Sequence, residues 1–113
     1  MKAGDVVRVA LPQADGKQKP RPALLVACFP PYGDRLVLGI SGSLGLEVSG
    51  LDIRIDQDHP SYKNARLGFP GIIRMGHAHV VPLAWIEGVM GRMDDATLQL
   101  ARERLAGLIL RGG

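Results

Sequence analysis

The sequence predicts a mainly β protein that ends in one α-helix, with the strands forming a small antiparallel barrel. Two patterns predict this fold class. Over the first three quarters of the chain, short β-branched or apolar runs are repeatedly cut by clusters of Gly, Pro, Asp and Ser. After Met93, apolar residues recur with helical spacing instead. The length of 113 residues suits one modest core, so we expect residues 1–113 to form a single domain.

Six strands are expected in chain order, at residues 5–11, 21–29, 34–41, 51–55, 71–75 and 77–82. Strands this short and closely spaced favour an antiparallel barrel over βαβ units. The run 23–29 is apolar on both faces, which predicts a central strand covered on each side by the helix or by a second subunit. The single cysteine, Cys28, lies in this run and is interpreted as a buried small hydrophobe.

The last segment is predicted to be an amphipathic helix that ends near Arg111. Asp94 and Asp95 offer an N-cap and a first-turn acid. Arg102 and Arg104 lie off the apolar stripe and are expected on a solvated face. The stripe itself consists of Leu98, Ala101, Leu105 and Leu108.

Composition narrows the class of protein further. Hydrophobic residues make up 46% of the chain and charged residues 22%, as in ordinary globular proteins. The longest apolar stretches, 22–31 and 80–86, are shorter than the roughly 20 residues that span a bilayer. No signal-peptide segment precedes the first predicted strand, so a cytoplasmic location is expected. The net charge of +3 and the pI of about 9.4 suit an anionic partner without requiring one.

The basic residues are concentrated in one loop. Lys17, Lys19 and Arg21 fall within five residues, and Pro20 and Pro22 bracket the arginine. The prolines restrict the backbone on both sides of Arg21, which suits bidentate recognition of a phosphate or stabilisation of charge developing on one. The alternative is a surface arginine in a proline-rich turn.

Two further segments join a strand to polar groups. Ser41 and Ser43 flank Gly42 where an apolar strand ends, so their hydroxyls could bind a phosphate or simply cap a turn. Farther on, Arg74, His77 and His79 fall within six residues.

In a regular strand both histidines share one face and Arg74 lies on the other, unless Gly76 introduces a bulge. One imidazole could then exchange a proton with ribose or leaving-group oxygens near neutral pH. Zinc binding by the two histidines is the alternative, which the lack of a nearby cysteine or carboxylate in the sequence disfavours.

Taken in order, five features resemble the MazF/PemK/Kid family of toxins from toxin-antitoxin modules: Gly-Asp-Val-Val-Arg-Val at 4–9, Arg-Pro-Ala-Leu at 21–24, Ile-Ser-Gly at 40–42, Ile-Arg at 73–74, and the final helix. The resemblance implies an SH3-like barrel that works as a homodimer without a cofactor and is neutralised by a small antitoxin. The implied activity is metal-independent, sequence-selective cleavage of single-stranded RNA, in which the 2′-hydroxyl attacks the phosphate to give a 2′,3′-cyclic phosphate.

The resemblance also implies roles for individual residues. Arg21 resembles the family's strand-entrance arginine, Ser41 stands where a threonine or serine is typical, and Arg74 resembles the arginine of the Kid-type strand. Kid-like members carry an aspartate two residues later, where this chain has Gly76. We therefore expect His77 to replace it in catalysis, with His79 as the alternative. The expected RNA-binding residues are Lys17, Lys19, Ser43 and His79.

Two other functions remain open from the sequence. A CcdB-like inhibitor of DNA gyrase shares the barrel, but such chains commonly end in a tryptophan-containing motif, whereas this one ends in Arg111-Gly112-Gly113. A catalytically silent relative that binds RNA or a partner is consistent with Gly76. Sequence selectivity is expected to depend on the loops 13–19 and 43–50.

Overall fold

The computed structural model describes residues 1–113 and contains six strands, two α-helices and two short 3-10 helices. The strands are β1 (Asp5–Pro12), β2 (Gln18–Cys28), β3 (Arg35–Ser41), β4 (Ile53–Ile55), β5 (Gly71–Val81) and β6 (Ile86–Arg92). The α-helices are α1 (Tyr62–Ala65) and α2 (Asp95–Arg111), and the 3-10 helices span Leu44–Leu46 and Leu83–Trp85. None of the helices has the length and apolar character needed to cross a membrane.

The six strands form one antiparallel half-barrel in the order β4-β5-β3-β2-β1-β6. Consecutive strands β1, β2 and β3 are neighbours, and β5 lies between β3 and β4 and pairs with both. The predicted fold class, a mainly β barrel with a C-terminal helix, is confirmed.

Apolar side chains are buried on both faces of this sheet. Leu24 of β2 belongs to a cluster that includes Ala101 and Leu105 of α2, so the helix covers that face. Leu25, the next residue, belongs to a second cluster with Val37 of β3. The predicted covering of the apolar second strand by the helix is confirmed, and the other face is covered by strands of the same chain rather than by a second subunit.

Three local expectations were wrong. Strand β6 was not predicted, because it is a largely exposed edge strand whose Gly88 and Gly91 interrupt any alternating pattern. The runs on either side of Gly76 form one continuous strand, β5. Cys28 is exposed, because it is the last residue of β2, where the chain leaves the core.

The solvated face predicted for Arg102 is confirmed, since this residue is exposed, whereas Arg104 is half-buried; both guanidinium groups also bond to the rest of the chain. Arg102 donates from Nε and Nη2 to the Val26 carbonyl at 3.2 and 3.0 Å, and Arg104 donates to the carbonyl of Asp52. Val26 is the extra residue of a β-bulge, since Leu25 pairs with Val37 and Ala27 with Leu36. A carbonyl in a bulge lacks a strand partner, and the arginine supplies one.

Helix α2 begins and ends much as the sequence predicts. Gly112 follows the helix in the left-handed conformation with φ of 76° and donates its N–H to the Leu108 carbonyl. Asp94 occupies the N-cap position, but its carboxylate accepts hydrogen bonds from the hydroxyls of Ser61, at 2.5 Å, and Thr97 rather than from helix N–H groups. These bonds tie the start of α2 to the turn before α1.

The bonds from Ser61 and then Thr97 lower the pKa of Asp94 below its ordinary value of about 3.8. A carboxylate whose pKa is lowered by folding adds stability above its ordinary pKa and loses it as the pH falls through the folded value. We predict that Asp94→Asn lowers the free energy of unfolding by about 1 kcal/mol at pH 7, a modest value because the carboxylate is largely exposed.

Urea denaturation at pH 7 and at pH 3 measures this difference, which should shrink at the lower pH. Asp95→Asn is the matched control. The Asp95 carboxylate is 96% exposed, and its one ion pair, with Arg92, is long at 3.7 Å. Equal effects of the two substitutions at pH 7 would contradict the assignment.

Candidate active site

The predicted site residues meet in one cavity at the end of the half-barrel where β1 leads into β2. The cavity has a volume of about 470 Å³. All four predicted catalytic residues line it, as does one of the predicted RNA-binding residues: Arg21, Ser41, Arg74, His77 and Ser43. Residues more than 50 positions apart in the sequence are therefore brought together around one space.

A large bulge in β5 brings Arg74 and His77 to the same cavity. Ile73 pairs with Ile40 of β3, but the next pair along is Ala78 with Leu38. Four residues of β5, 74–77, thus stand opposite one residue of β3. Three extra residues reverse the alternation of side chains, so that Arg74 and His77, which a regular strand would place on opposite faces, line one cavity. The bulge considered at Gly76 is confirmed.

The residue opposite the bulge is Gly39, and its lack of a side chain makes room for the imidazole of His77. A Cβ at position 39 would lie 2.3 Å from Nδ1 and 2.8 Å from Cγ of His77. By contrast, a Cβ at Gly76 would meet no atom within 4 Å. Glycine is thus required sterically at 39 and not at 76.

Arg21 is oriented by a residue that sequence analysis did not single out. The guanidinium donates from Nε and Nη2 to Oε1 of Gln13, at 3.3 and 3.0 Å. Gln13 donates in turn from Nε2 to the Leu11 carbonyl at 3.0 Å. Gln13 lies in the β1–β2 hairpin, eight residues before Arg21, and only the antiparallel pairing of β1 with β2 brings the two side chains together.

The cavity is cationic. Arg74 and Arg21 line it, and no aspartate or glutamate does. Nε of Arg74 is buried without a hydrogen-bond partner. A buried N–H that lacks a partner is costly, and an anion in the cavity would supply an acceptor.

The two serines serve a turn and also face the cavity. Oγ of Ser41 accepts a hydrogen bond from the backbone N–H of Ser43 at 3.1 Å. This is the turn-capping role that the sequence left open. The bond uses Ser41 as an acceptor only, so its O–H remains able to donate to an oxygen in the cavity.

The surroundings of His77 favour its neutral form. Burial lowers its pKa below 6.5, and the nearby charges of His79, Arg74 and Arg21 lower it further, whereas a hydrogen bond with the Pro12 carbonyl raises it. The rings of His77 and His79 meet edge to face with centroids 4.8 Å apart. An imidazole that is neutral at pH 7 can accept a proton.

The other expected RNA-binding residues lie outside the cavity lining. Lys19 pairs with Leu11 in the exposed part of the hairpin, Lys17 is at the turn itself, and His79 touches the cavity only through His77. The structure contains no group of three or more His, Cys, Asp or Glu side chains that could hold a metal ion, so the two histidines have no third ligand of these types.

A larger cavity of about 690 Å³ lies beside β6 and the start of α2. Its lining has three aspartates and two arginines, and Arg92 is already 3.0 Å from Asp5 and 3.7 Å from Asp95. It contains none of the predicted site residues. The smaller, uncompensated cavity is therefore the better candidate for chemistry on an anion.

We predict that Gly39→Ala displaces the His77 ring, because the new Cβ would overlap with Nδ1. The pKa of His77 should then rise toward 6.5 as the ring leaves its buried position. NMR titration of the imidazole protons measures this value. Gly76→Ala is the matched control and should leave the pKa unchanged; an equal pKa in both variants contradicts the steric role of Gly39.

Comparison with known proteins agrees with the fold. The structure is similar to that of the Mycobacterium tuberculosis toxin MazF-mt6, with a TM-score of 0.67 and 16% sequence identity over 93% of this chain and 95% of that one. No protein-family model and no curated protein matches the sequence. The chain therefore has the MazF-like toxin fold that the resemblance in its sequence implies.

Proposed function

We propose that this protein is the toxin of a toxin-antitoxin module and acts as a metal-independent endoribonuclease on single-stranded RNA. The observation that carries the proposal is the cavity in which two arginines, a neutral histidine and serine hydroxyls meet without a carboxylate. Cleavage of RNA through its own 2′-hydroxyl needs a proton acceptor and cations for the phosphorane charge, and this set supplies both. The MazF-like fold and the ordered motifs support the same activity.

In the proposed reaction, the 2′-oxygen forms a bond to phosphorus and the bond from phosphorus to the 5′-oxygen breaks. His77 accepts the proton of the 2′-hydroxyl. Arg21 and Arg74 stabilise the charge on the non-bridging oxygens, and the Ser41 hydroxyl donates to one of them. The departing 5′-oxygen takes a proton from water in the open cavity. The products are a 2′,3′-cyclic phosphate and a free 5′-hydroxyl.

His77 is proposed to replace the carboxylate that Kid-like sequences carry at the position of Gly76. The two positions are adjacent within the same bulge, and the bulge directs His77 into the cavity. An imidazole with a lowered pKa can perform the proton transfer that the resemblance assigns to the aspartate. The roles of Arg21, Ser41 and Arg74 follow their matches to the family motifs.

RNA is proposed to extend from the cavity along the β1–β2 hairpin. Lys17 and Lys19 are exposed there and would neutralise neighbouring phosphates. Ser43 would contact the reacting phosphate from the cavity lining, and His79, beside His77, would contact RNA next to the cavity. The chain has two Phe, two Tyr and one Trp, so few rings are available for base stacking. Electrostatics and hydrogen bonds must therefore contribute most of the binding free energy.

The proposed partners are a second copy of the chain and a small antitoxin. Ile109 and Leu110, at the end of α2, are 69% and 86% exposed and offer apolar surface for a contact between subunits. The net charge of +3 and the cationic cavity suit an acidic antitoxin segment. Light scattering of the purified protein measures the oligomeric state, and a mass of one chain at micromolar concentration would contradict the proposed homodimer.

We predict that His77→Ala and Arg21→Ala each reduce the rate of RNA cleavage in EDTA by about 100-fold or more, since each removes a group that acts in the transition state. Gel analysis of a long RNA, with end-group analysis for cyclic phosphate, measures the rate and the chemistry. Arg8→Ala is the matched control: this arginine is half exposed, lies 3.6 Å from Glu87 and is outside the cavity, so its removal should leave the rate unchanged.

Other results of the cleavage assay, combined with assays of RNA binding and of supercoiling by gyrase, distinguish the other functions. Wild-type cleavage that survives both cavity substitutions would come from another site or a contaminant and would overturn the assignment. RNA binding without cleavage indicates a catalytically silent relative. Neither binding nor cleavage, together with inhibition of supercoiling by gyrase, indicates the CcdB-like function.

The rate should also depend on pH in a direction set by His77. A proton acceptor works in its neutral form, so kcat/KM should rise with pH and level off above the pKa of His77, with a midpoint below pH 6.5. Because the charge of His79 lowers this pKa, His79→Gln should move the midpoint upward. A rate that falls as the pH rises through this range would instead identify His77 as a proton donor.

A further inference from the structure

One buried carboxylate connects two of the segments that form the cavity. Asp52, the residue before β4, is only 4% exposed. Its Oδ1 accepts a hydrogen bond from the backbone N–H of Met75 at 3.0 Å, and its Oδ2 accepts one from the N–H of Val48 at 2.9 Å. Both oxygens are therefore used by backbone groups, one in the β5 bulge and one in the loop that follows β3.

The bond to Met75 meets a need created by the bulge. Met75 lies among the four residues of β5 that have no partner on β3, so its buried N–H has no strand carbonyl to bond. On the other edge of β5, β4 pairs only as far as Ile53 with Ile73. The backbone hydrogen bonds between β4 and β5 stop at this pair. One residue before Ile53, the side chain of Asp52 takes over and accepts from the N–H of Met75. A buried N–H without an acceptor would destabilise the bulge.

The bond to Val48, together with the backbone bond from the Asp52 N–H to the Val48 carbonyl at 2.9 Å, holds the loop on the opposite rim of the cavity. This loop begins at Ser43 and contains Leu46, both of which line the cavity. A second connection reinforces it: Arg54 of β4 donates to Glu47 at 2.6 Å and to the Leu44 carbonyl at 3.3 Å. The loop is thus held by Asp52 and by Arg54 of β4, and Asp52 also holds the bulge.

We propose that Asp52 is a positioning residue of the active site, whose carboxylate sets the distance between the β5 bulge, with Arg74 and His77, and the rim loop, with Ser43. The proposal rests on the ribonuclease function proposed above. Asp52 does not line the cavity, so it acts through the groups that do. This one side chain therefore contacts both rims of the cavity.

The substitution Asp52→Asn keeps the size of the side chain but removes one acceptor. A carboxamide has one acceptor oxygen and an NH2 group, which cannot accept from an N–H, so either Met75 or Val48 loses its partner. We expect kcat for RNA cleavage to fall about tenfold or more, because small displacements of catalytic groups carry large costs. KM should stay within about threefold, since Arg21 and the hairpin lysines are held independently of Asp52.

The control separates positioning from stability. Asp94→Asn also removes a carboxylate that accepts a hydrogen bond, the one that connects α2 to Ser61, but Asp94 does not line the cavity. It should lower the unfolding midpoint and leave kcat unchanged when both variants are assayed at a temperature at which they are folded. A kcat for folded Asp52→Asn within twofold of wild type overturns the proposal.

A second measurement does not need catalysis. Loss of a negative charge at position 52 can by itself only lower the pKa of His77, because it removes a charge that favours the imidazolium form. A rise in the pKa of His77 in Asp52→Asn, followed by NMR, therefore reports movement of the ring. If the wild-type protein does not cleave RNA, the proposed ribonuclease function fails. The positioning role of Asp52 is tested separately, and an unchanged pKa of His77 in Asp52→Asn overturns it.

If Asp52→Asn does not fold, Asp52→Glu tests the proposal by the same two measurements, kcat for RNA cleavage and the pKa of His77. Glutamate keeps the charge and both acceptor oxygens, and its extra methylene shifts the held segments apart. Lower kcat with a changed His77 titration supports the proposal, and wild-type values for both contradict it.

Discussion

Four residues of β5 stand opposite a single residue of β3, and the geometry of the cavity follows from this mismatch. An odd number of extra residues reverses which face the side chains occupy. Arg74 and His77 thereby come to the same side, next to Arg21 from β2. Gly39, opposite the mismatch, leaves the space that the imidazole fills. A regular pairing of the same strands would separate the arginine from the histidine.

Irregular strand pairing leaves some backbone N–H and carbonyl groups without a strand partner. Side chains from distant elements form hydrogen bonds with these groups. Arg102 of α2 donates to the carbonyl of Val26 in the β2 bulge, and the Asp52 carboxylate accepts from Met75 in the β5 bulge. Each contact crosses at least twenty residues of sequence and uses a charged group, whose hydrogen bonds are stronger than those of neutral groups. The sheet can therefore bend away from regular geometry at two places without leaving these buried polar groups unpaired.

The positive charge of the cavity depends both on the two arginines in its lining and on the lack of an aspartate or glutamate there. Two arginines without a lining carboxylate attract an anion, and they add to burial and the charge of His79, which are the larger causes of the lowered pKa of His77. The same cations thus serve phosphate binding and the protonation state of the proposed proton acceptor. A carboxylate at position 76 would weaken the attraction for an anion and would raise the pKa of His77. Glycine at 76 beside histidine at 77 avoids both consequences.

The sequence by itself determined the class of fold, the position of α2 and five of the twelve residues that line the cavity. These are local properties: apolar periodicity marks the strands and the helix, and Arg21, Ser41 and Arg74 are polar residues beside apolar runs. The predicted strand entrance at Arg21 was wrong, because β2 begins at Gln18 and Arg21 already pairs with Val9. The exposed edge strand β6 escaped prediction because it has no buried face to impose a pattern.

Only the tertiary structure decided which residues support the site. Gln13 beside Arg21, Gly39 beside His77 and Asp52 beneath the bulge each contact a residue on another strand or segment. Their roles depend on register, and a sequence pattern does not fix register where a bulge adds residues to one strand only.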